Sequence, residues 1–239
     1  LQRASQALGP GQIAVALILG ALIVVLFDPD VQRTAGYLFA RPSAFFAEAG
    51  ATFQSFFSSL FRGAIYNYEA SSFAAGIKPL FETLTRSVPL IIAGLAIAVS
   101  FRAGLFNIGV QGQLIMGALV GTAAGIHLDL PIVLHLIVAM LFAILGGAIW
   151  GGIPGILKAK AGANEVIVTI MLNSIALLFL SWTLKQEFMK GDGTAGKSMY
   201  VQDTATYPHL LGDQYRLDLS FIIAILAAIF VWWLLERST

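Results

Sequence analysis

Three amide side chains, those of Asn107, Gln111 and Gln113, lie within one apolar stretch of the sequence, residues 101–117. An amide donates and accepts hydrogen bonds, so it can bind and release a polar solute but has no nucleophile with which to transform it. Polar groups at membrane depth are costly and usually face the interior of a helix bundle or a water-filled path. The glycines of this stretch would let neighbouring helices approach closely or let the helix break. The pattern therefore predicts part of a path for a hydroxyl-rich solute.

The period of an α-helix indicates which polar side chains act together. The first two of these amides are four residues apart and are expected to share one helix face, whereas Gln113 points elsewhere. In the later apolar stretch 165–184, Thr169 and Asn173 follow at the same spacing and join the predicted path. The alternative is that these side chains only hydrogen-bond neighbouring helices to each other.

Catalytic and metal-binding patterns are missing from the apolar stretches. The chain has no cysteine, and His127, His135 and His209 lack metal-ligand spacing; the first two are expected to be interfacial histidines. We therefore predict no catalytic residue, no metal and no cofactor, as expected for a transport subunit that is not itself an enzyme. The scarcity of acidic residues within these stretches also disfavours a proton-coupled carrier.

Residues 191–198 match the phosphate-binding pattern GxxxxGK[ST] letter by letter. Such a loop binds nucleotide only when it follows a buried strand and opens a helix. Here it follows the polar end of an apolar stretch and leads into a segment without helical periodicity. We therefore interpret it as a glycine-rich loop.

The composition predicts an all-α fold, a polytopic bundle of transmembrane helices. The chain is 58% hydrophobic and 11% charged, against about 25% charged in soluble domains. A span needs roughly 20 apolar residues, and about six segments qualify: residues 12–27, 84–101, 105–126, 130–157, 165–184 and 219–235. Glycines repeat every four residues in two of these segments, which predicts close helix packing: Gly117, Gly121 and Gly125, and then Gly147, Gly151 and Gly155.

The remaining chain is expected to form two long outer segments, residues 28–83 and 185–218. Within the first, residues 37–68 carry aromatic side chains at helical spacing, which predicts an amphipathic helix at the interface, or less favourably a seventh span. The short loop that contains Lys158 and Lys160 indicates a cytoplasmic end, because basic residues accumulate on that side. The N-terminus is then predicted to be inside.

Two stretches resemble a known family: residues 94–119 (GLAIAVSFRAGLFNIGVQGQLIMGAL) and 146–176 (GGAIWGGIPGILKAKAGANEVIVTIMLNSIA). They are similar to the permease subunits of bacterial ABC importers, closest to the nucleoside type that works with lipoprotein receptors of the basic membrane protein class. Ribose (simple-sugar) and branched-chain amino acid permeases are more distant. One departure is Gln111, where the family pattern has Glu, which puts a charge-based role there in doubt.

The resemblance implies one transmembrane permease domain over residues 1–239, truncated before a cytoplasmic coupling helix and further spans. It implies a multi-pass protein of the bacterial plasma (inner) membrane, with no nucleic acid among its partners. Those partners would be membrane lipid, a second permease subunit (usually making a heterodimer), cytoplasmic ATP-binding subunits and an extracytoplasmic solute-binding lipoprotein. ATP hydrolysis by the separate ATPase would drive transport.

The residues leave the solute open, since amides suit nucleosides, sugars and amino acids alike. A nucleoside permease is the first hypothesis, and a simple-sugar permease is its alternative. A secondary carrier that works without ATP is the hypothesis from another class. Whether the two permeases of the core are identical also stays open.

Overall fold

The computed structural model of the chain describes residues 2–191, 193, 196–212 and 214–237. They divide into two compact units, one ending at Thr83 and the other beginning at Leu84.

Over this part of the chain, the structure contains nine α-helices, one short 3-10 helix and no β-strand. The helices are α1 (Gln2–Phe27), α2 (Pro29–Ala35), α3 (Pro42–Ala64), α4 (Phe73–Gly76), α5 (Lys78–Arg102), α6 (Val110–His127), α7 (Ile132–Ala161), α8 (Glu165–Thr183) and α9 (Leu219–Arg237). The fold is that of an all-α, polytopic helical membrane protein, as the composition predicts.

The first unit begins with two helices that meet at a bend of 65°, Gly11–Phe27 and Pro29–Ala35. Asp28 caps the second of them. Its carboxylate accepts hydrogen bonds from the N–H groups of Asp30 and Val31, at 2.9 and 3.1 Å. Because these N–H groups have no partner within the helix, the cap stabilises the new helix direction immediately after the first helix ends.

α3 corresponds to the amphipathic helix predicted within residues 37–68. It packs against both α1 and α2. Gly20 on α1 lies beside the Phe56 ring of α3, and a Cβ placed there would make an ordinary van der Waals contact with the ring at 3.6 Å. Residues 28–83, predicted as an outer segment with one helix, thus hold α2, α3, α4 and the first turn of α5.

The second unit is organised around α6, α7 and α8, with the most extensive contact between α6 and α7. Two glycines allow these helices to approach each other closely. A Cβ at Gly117 would lie 2.9 Å from the Ala143 carbonyl oxygen, and a Cβ at Gly146 would lie 2.8 Å from the Met116 carbonyl oxygen. This is backbone-to-backbone packing of the kind that small residues permit in membranes.

The two predicted glycine series behave differently. On α6, Gly121 also faces α7, but Gly125 faces Val201 of the outer segment. On α7, a Cβ at Gly151 would meet a side chain of α6, whereas no atom lies within 4 Å of one at Gly155. Packing of α7 on α6 therefore involves Gly147 and Gly151 of the predicted series, with a Cβ on Gly147 lying 3.4 Å from the Gln113 carbonyl oxygen, and also Gly146, which lies outside the series.

Four helical segments are long and apolar enough to cross a membrane: Phe73–Arg102, Ile132–Ala161, Glu165–Thr183 and Leu219–Arg237. The bent pair in the first unit would make a fifth. The sequence predicted about six. The difference lies at α6, because Gln111, Gln113 and His127 lower the mean hydropathy of its 18 residues.

The outer segment 185–218 is attached to the ends of α6 and α7. The Gln202 N–H donates to the Gly125 carbonyl at 3.0 Å, and its side-chain amide donates to the Ile126 carbonyl at 3.2 Å. His135 is fully buried between the Ala124 carbonyl oxygen, 3.2 Å from Nε2, and the Thr204 hydroxyl, 2.7 Å from Nδ1. It is therefore a hydrogen-bonded core histidine.

The phosphate-binding pattern lies in this outer segment, and three of its residues, Asp192, Thr194 and Ala195, fall outside the described residues. Lys190, just before the pattern, and Ser198, its last residue, form an isolated β-bridge. The element that precedes the pattern is helix α8, not a buried strand, so the required context for phosphate binding is not met.

Candidate functional site

The second unit contains a break in helical structure between α5 and α6. α5 ends at Arg102 with the two hydrogen bonds of a Schellman motif: Leu105 N–H to the Ser100 carbonyl at 2.9 Å, and Gly104 N–H to the Phe101 carbonyl at 3.1 Å. Gly104 has φ of +75°, a conformation that side chains disfavour. The next helix does not begin until Val110.

The start of α6 is held by Asn173, which belongs to α8. Its side-chain oxygen accepts a hydrogen bond from the Gly112 N–H at 2.8 Å, and its side-chain nitrogen donates to the Ile108 carbonyl at 3.0 Å. The Gly112 N–H is in the first turn of α6 and has no partner within that helix. Asn173 therefore acts as an N-cap supplied by a different helix.

Two further predicted residues also hold this break. The Asn107 side chain accepts from the Gly109 N–H at 2.8 Å and donates to the Ser100 hydroxyl at 3.4 Å. Thr169 is buried behind the break, and its Cβ would lie 2.9 Å from a Cβ placed on Gly109. Glycine at that position therefore lets α8 lie directly against the unwound backbone.

The end of the break nearer Gly104 is fixed by a charged pair. Lys158 Nζ lies 2.5 Å from Glu165 Oε1 and 3.2 Å from the Gly104 carbonyl oxygen. Asn164 caps α8 as predicted, accepting from the Val166 N–H at 3.0 Å. The last turn of α7 and the first turn of α8 are thereby tied to the unwound segment.

These contacts place the irregular backbone between α5 and α6 alongside the first half of α8, from Glu165 to Asn173. Asn173 lies eight positions after Glu165, or about 12 Å along the helix at 1.5 Å per residue. Lipid-exposed irregular backbone is not tolerated at membrane depth, because its polar groups would lack partners. Asn107, Lys158 and Asn173 supply those partners here.

A cavity of about 610 Å³ adjoins the break. Its volume is within the range of small-molecule sites, about 300–1,000 Å³. Small and aliphatic residues make up most of its wall, and its polar side chains are those of Ser100, Asn107 and Gln113. The lining residues are Ile92, Ala93, Ala96, Ser100, Asn107, Val110, Gln113, Leu114, Gly117, Ala118, Met140, Ala143, Ile144, Gly147, Ala148 and Gly151.

The five predicted path residues therefore separate into groups. Asn107 and Gln113 line the cavity, Thr169 and Asn173 hold the break behind it, and Gln111 is exposed on α6 outside the cavity wall. The predicted common helix face of Asn107 and Gln111 is wrong, because α6 starts after Asn107 and the helical spacing does not apply.

Ser100 was not predicted as a polar wall residue, and residues 105–109 were predicted as the start of a span although the glycines of this stretch were expected to allow a break. A signal for the break was present: Gly104 and Gly109 flank Asn107, and glycine with asparagine at such spacing is typical of turns. Its apolar surroundings made the segment resemble a continuous span.

A second cavity, of about 410 Å³, lies between α6, α7 and α8 on the side of the outer segment. Its wall is aliphatic and aromatic apart from His127 and Thr183. The His127 Nε2 is 2.8 Å from the Phe188 carbonyl oxygen, and the Thr183 hydroxyl donates to Phe179 at 2.8 Å. Both polar groups are thus engaged by the protein. Across the part of the chain described, no group of three His, Cys, Asp or Glu side chains could hold a metal.

Comparison with known proteins agrees with a membrane transport role. The family model described as the permease component of branched-chain amino acid transport systems matches residues 80–239. The chain is 41% identical over 160 residues to the guanosine ABC transporter permease protein NupP of Bacillus subtilis (strain 168), covering 66% of this chain and 46% of that protein.

Two other relatives carry different solute names. The glucose ABC transporter permease protein TsgB13 of Haloferax volcanii is 44% identical over 133 residues, covering 56% of this chain and 35% of that protein. The nucleoside ABC transporter permease protein NupB of Lactococcus lactis subsp. cremoris is 34% identical over 187 residues, covering 73% and 51%. The chain thus spans about half the length of these relatives, or less. No solved structure matches it.

Proposed function

The chain belongs to the family of permease components of branched-chain amino acid transport systems, and from this premise we propose that it is the permease subunit of an ATP-driven ABC importer and forms the translocation path for a nucleoside. Its family and its apolar helices make it a multi-pass protein of the plasma membrane.

The observation that carries the proposal is the cavity beside the break between α5 and α6. Polar groups inside a membrane protein typically mark the pathway of a solute. Here an amide, that of Asn107, belongs to unwound backbone, and the amide of Gln113 lies in the first turn of the helix that follows. Both adjoin a volume large enough for a small molecule.

The chemistry of the cavity wall favours a neutral solute. None of its lining residues is charged, and a buried charge without a partner is strongly unfavourable. A nucleoside offers hydroxyls and a flat base that together need hydrogen bonds and an apolar surface. Two of the relatives are named for guanosine or nucleosides, which supports this class over amino acids.

The partners are proposed from the family. They are a second permease subunit that completes the membrane core, cytoplasmic ATP-binding subunits, and an extracytoplasmic solute-binding lipoprotein. We expect the ATP-binding subunits to supply the energy, since the phosphate-binding pattern follows helix α8 and not the buried strand of a nucleotide-binding loop.

The test is uptake of labelled guanosine by proteoliposomes that contain the full-length permease, its partner permease, the ATPase and the receptor. We expect uptake that requires ATP on the ATPase side and is reduced by other nucleosides, but not by ribose or leucine. Guanosine uptake that is equally fast without ATP would contradict the importer and favour a secondary carrier.

A simple sugar is the second candidate, because one relative is named for glucose. Hydroxyl-bearing solutes of either kind could bind amide side chains. ATP-dependent uptake of ribose or glucose without any uptake of nucleosides would keep the importer mechanism and replace the solute.

A further inference from the structure

Gln113 differs from the other amides of the site in having no protein partner. Both ends of the Asn107 amide and both ends of the Asn173 amide are hydrogen-bonded within the protein. Within the described part of the chain, no hydrogen bond involves the Gln113 side chain, although it is half-buried in the cavity wall. A half-buried amide of this kind is available to a solute in the cavity.

A glycine on the neighbouring helix makes room for the Gln113 amide. A Cβ on Gly151 would lie 2.9 Å from Gln113 Nε2 and 3.0 Å from Gln113 Cδ. These distances are shorter than any ordinary side-chain contact. The amide therefore lies across the backbone of α7 at a place where any other residue would displace it.

The backbone that carries this amide is held in place by α8. Gln113 lies one residue after Gly112, whose N–H is bound by Asn173. Its own N–H donates to the Gly109 carbonyl at 3.2 Å, which continues the first turn of α6. Since the start of α6 is held by α8, the amide is presented to the cavity from a rigid support, as recognition of a solute requires.

The wall around the amide is apolar and includes many small residues, among them Ala96, Ala118, Ala143 and Gly147. Such a surface accepts a flat ring, while the amide offers one acceptor and two donors at its end. The donor and acceptor atoms on the edge of a purine match this arrangement.

We propose that Gln113 is the specificity-determining residue of the path and hydrogen-bonds the polar edge of the nucleobase, in a position created by Gly151. The inference rests on the proposed nucleoside transport and adds which side chain distinguishes one base from another.

The test compares nucleosides with and without exocyclic polar groups on the base. Full-length transporter is reconstituted with its partner permease, ATPase and receptor, and the receptor is saturated with each nucleoside so that rates report on the permease. We expect guanosine to be carried about tenfold faster than purine riboside, which has no exocyclic group on its base, as one good hydrogen-bonding contact would produce.

Gln113→Met keeps the length of the side chain and removes its hydrogen bonds. We expect it to lower the guanosine rate so that the ratio of the two rates approaches one. An equal fractional loss for both nucleosides would show a packing role and overturn the inference. A wild-type ratio near one would also overturn it, whereas no ATP-dependent nucleoside uptake at all would instead refute the proposed function.

A pair of neighbouring glycines provides the second variant and its control. Gly151→Ala crowds the Gln113 amide and is expected to lower the same ratio while the Gln113 side chain is retained. No atom lies within 4 Å of a Cβ on Gly152, so Gly152→Ala should keep the wild-type ratio. If the two alanine variants have the same ratio, Gly151 does not position the amide and the inference fails.

Discussion

Asn173 provides, through a single side chain, the partners of the Gly112 N–H and the Ile108 carbonyl, which in a continuous helix would have bonded to each other. Its oxygen binds Gly112 within the first turn of α6, and its nitrogen binds Ile108 just before that helix begins. Removing it leaves a donor and an acceptor unpaired in a membrane interior, where water cannot replace the lost partner. Asn173 is therefore the residue whose loss should most affect the unwound segment.

We predict that Asn173→Ala lowers the free energy of unfolding by about 2 kcal/mol, the cost of buried groups left without hydrogen bonds. The check is thermal unfolding of the purified full-length protein in detergent. Ser174→Ala is the matched control, because Ser174 is exposed and adjacent on the same helix. Equal unfolding midpoints for the two variants would show that the hydrogen bonds of Asn173 do not stabilise the protein.

At the scale of helices, α6 and α7 are paired through glycines that let backbone contact backbone. The contact depends on which glycine faces the partner, as the difference between Gly146 and Gly155 shows. A Cβ on Gly146 would lie 2.8 Å from the Met116 carbonyl oxygen and 2.9 Å from Val120 Cβ, whereas one on Gly155 meets nothing within 4 Å.

The same substitution should therefore have opposite effects at two positions of α7. Gly146→Ala is expected to destabilise the protein by about 1–3 kcal/mol, because it forces the helices apart. Gly155→Ala is expected to stabilise it by up to about 1 kcal/mol, because alanine favours the helix more than glycine does. Thermal unfolding measures both, and shifts of the same sign would contradict this account of the packing.

These elements also show how far the sequence could predict the structure. Hydropathy located the long apolar helices but not the short helices α2 and α4, and the caps at Asn164 and Gly104 have recognisable sequence signals. The faces of α6 and α7 were harder, since spacing shows that glycines share a face but not which face meets the partner. Gln113, rather than Gln111, reaches the cavity because α6 begins only at Val110, and that start depends on Asn173, 65 residues from its bonding partner Ile108.

At the scale of the whole molecule, the membrane orientation remains a prediction from charge. Lys158 and Lys160 lie two residues apart at the end of α7, and basic residues favour the cytoplasmic side. The opposite end of α7 meets the outer segment through His135 and Thr204. The break between α5 and α6 would then lie nearer the cytoplasmic end of the path.

This orientation can be tested directly because the chain has no cysteine. Lys160→Cys is expected to be protected from a membrane-impermeant maleimide added to intact cells and to react after the membrane is opened. Tyr200→Cys, at a position whose side chain is 98% exposed in the outer segment, should react in intact cells. The reverse labelling pattern would invert the topology.

The attachment of the outer segment to α6 has a consequence for how the protein is made. Gln202 binds the carbonyl of Ile126, a residue synthesised 76 positions earlier, and Thr204 binds His135 at the start of α7. A growing chain reaches these contacts only after α6, α7 and α8 have left the ribosome. Until then, the last carbonyls of α6 must stay hydrated at the membrane surface. Docking of the segment is thus a late step of membrane insertion, and protection of residues 199–206 from protease would mark its completion.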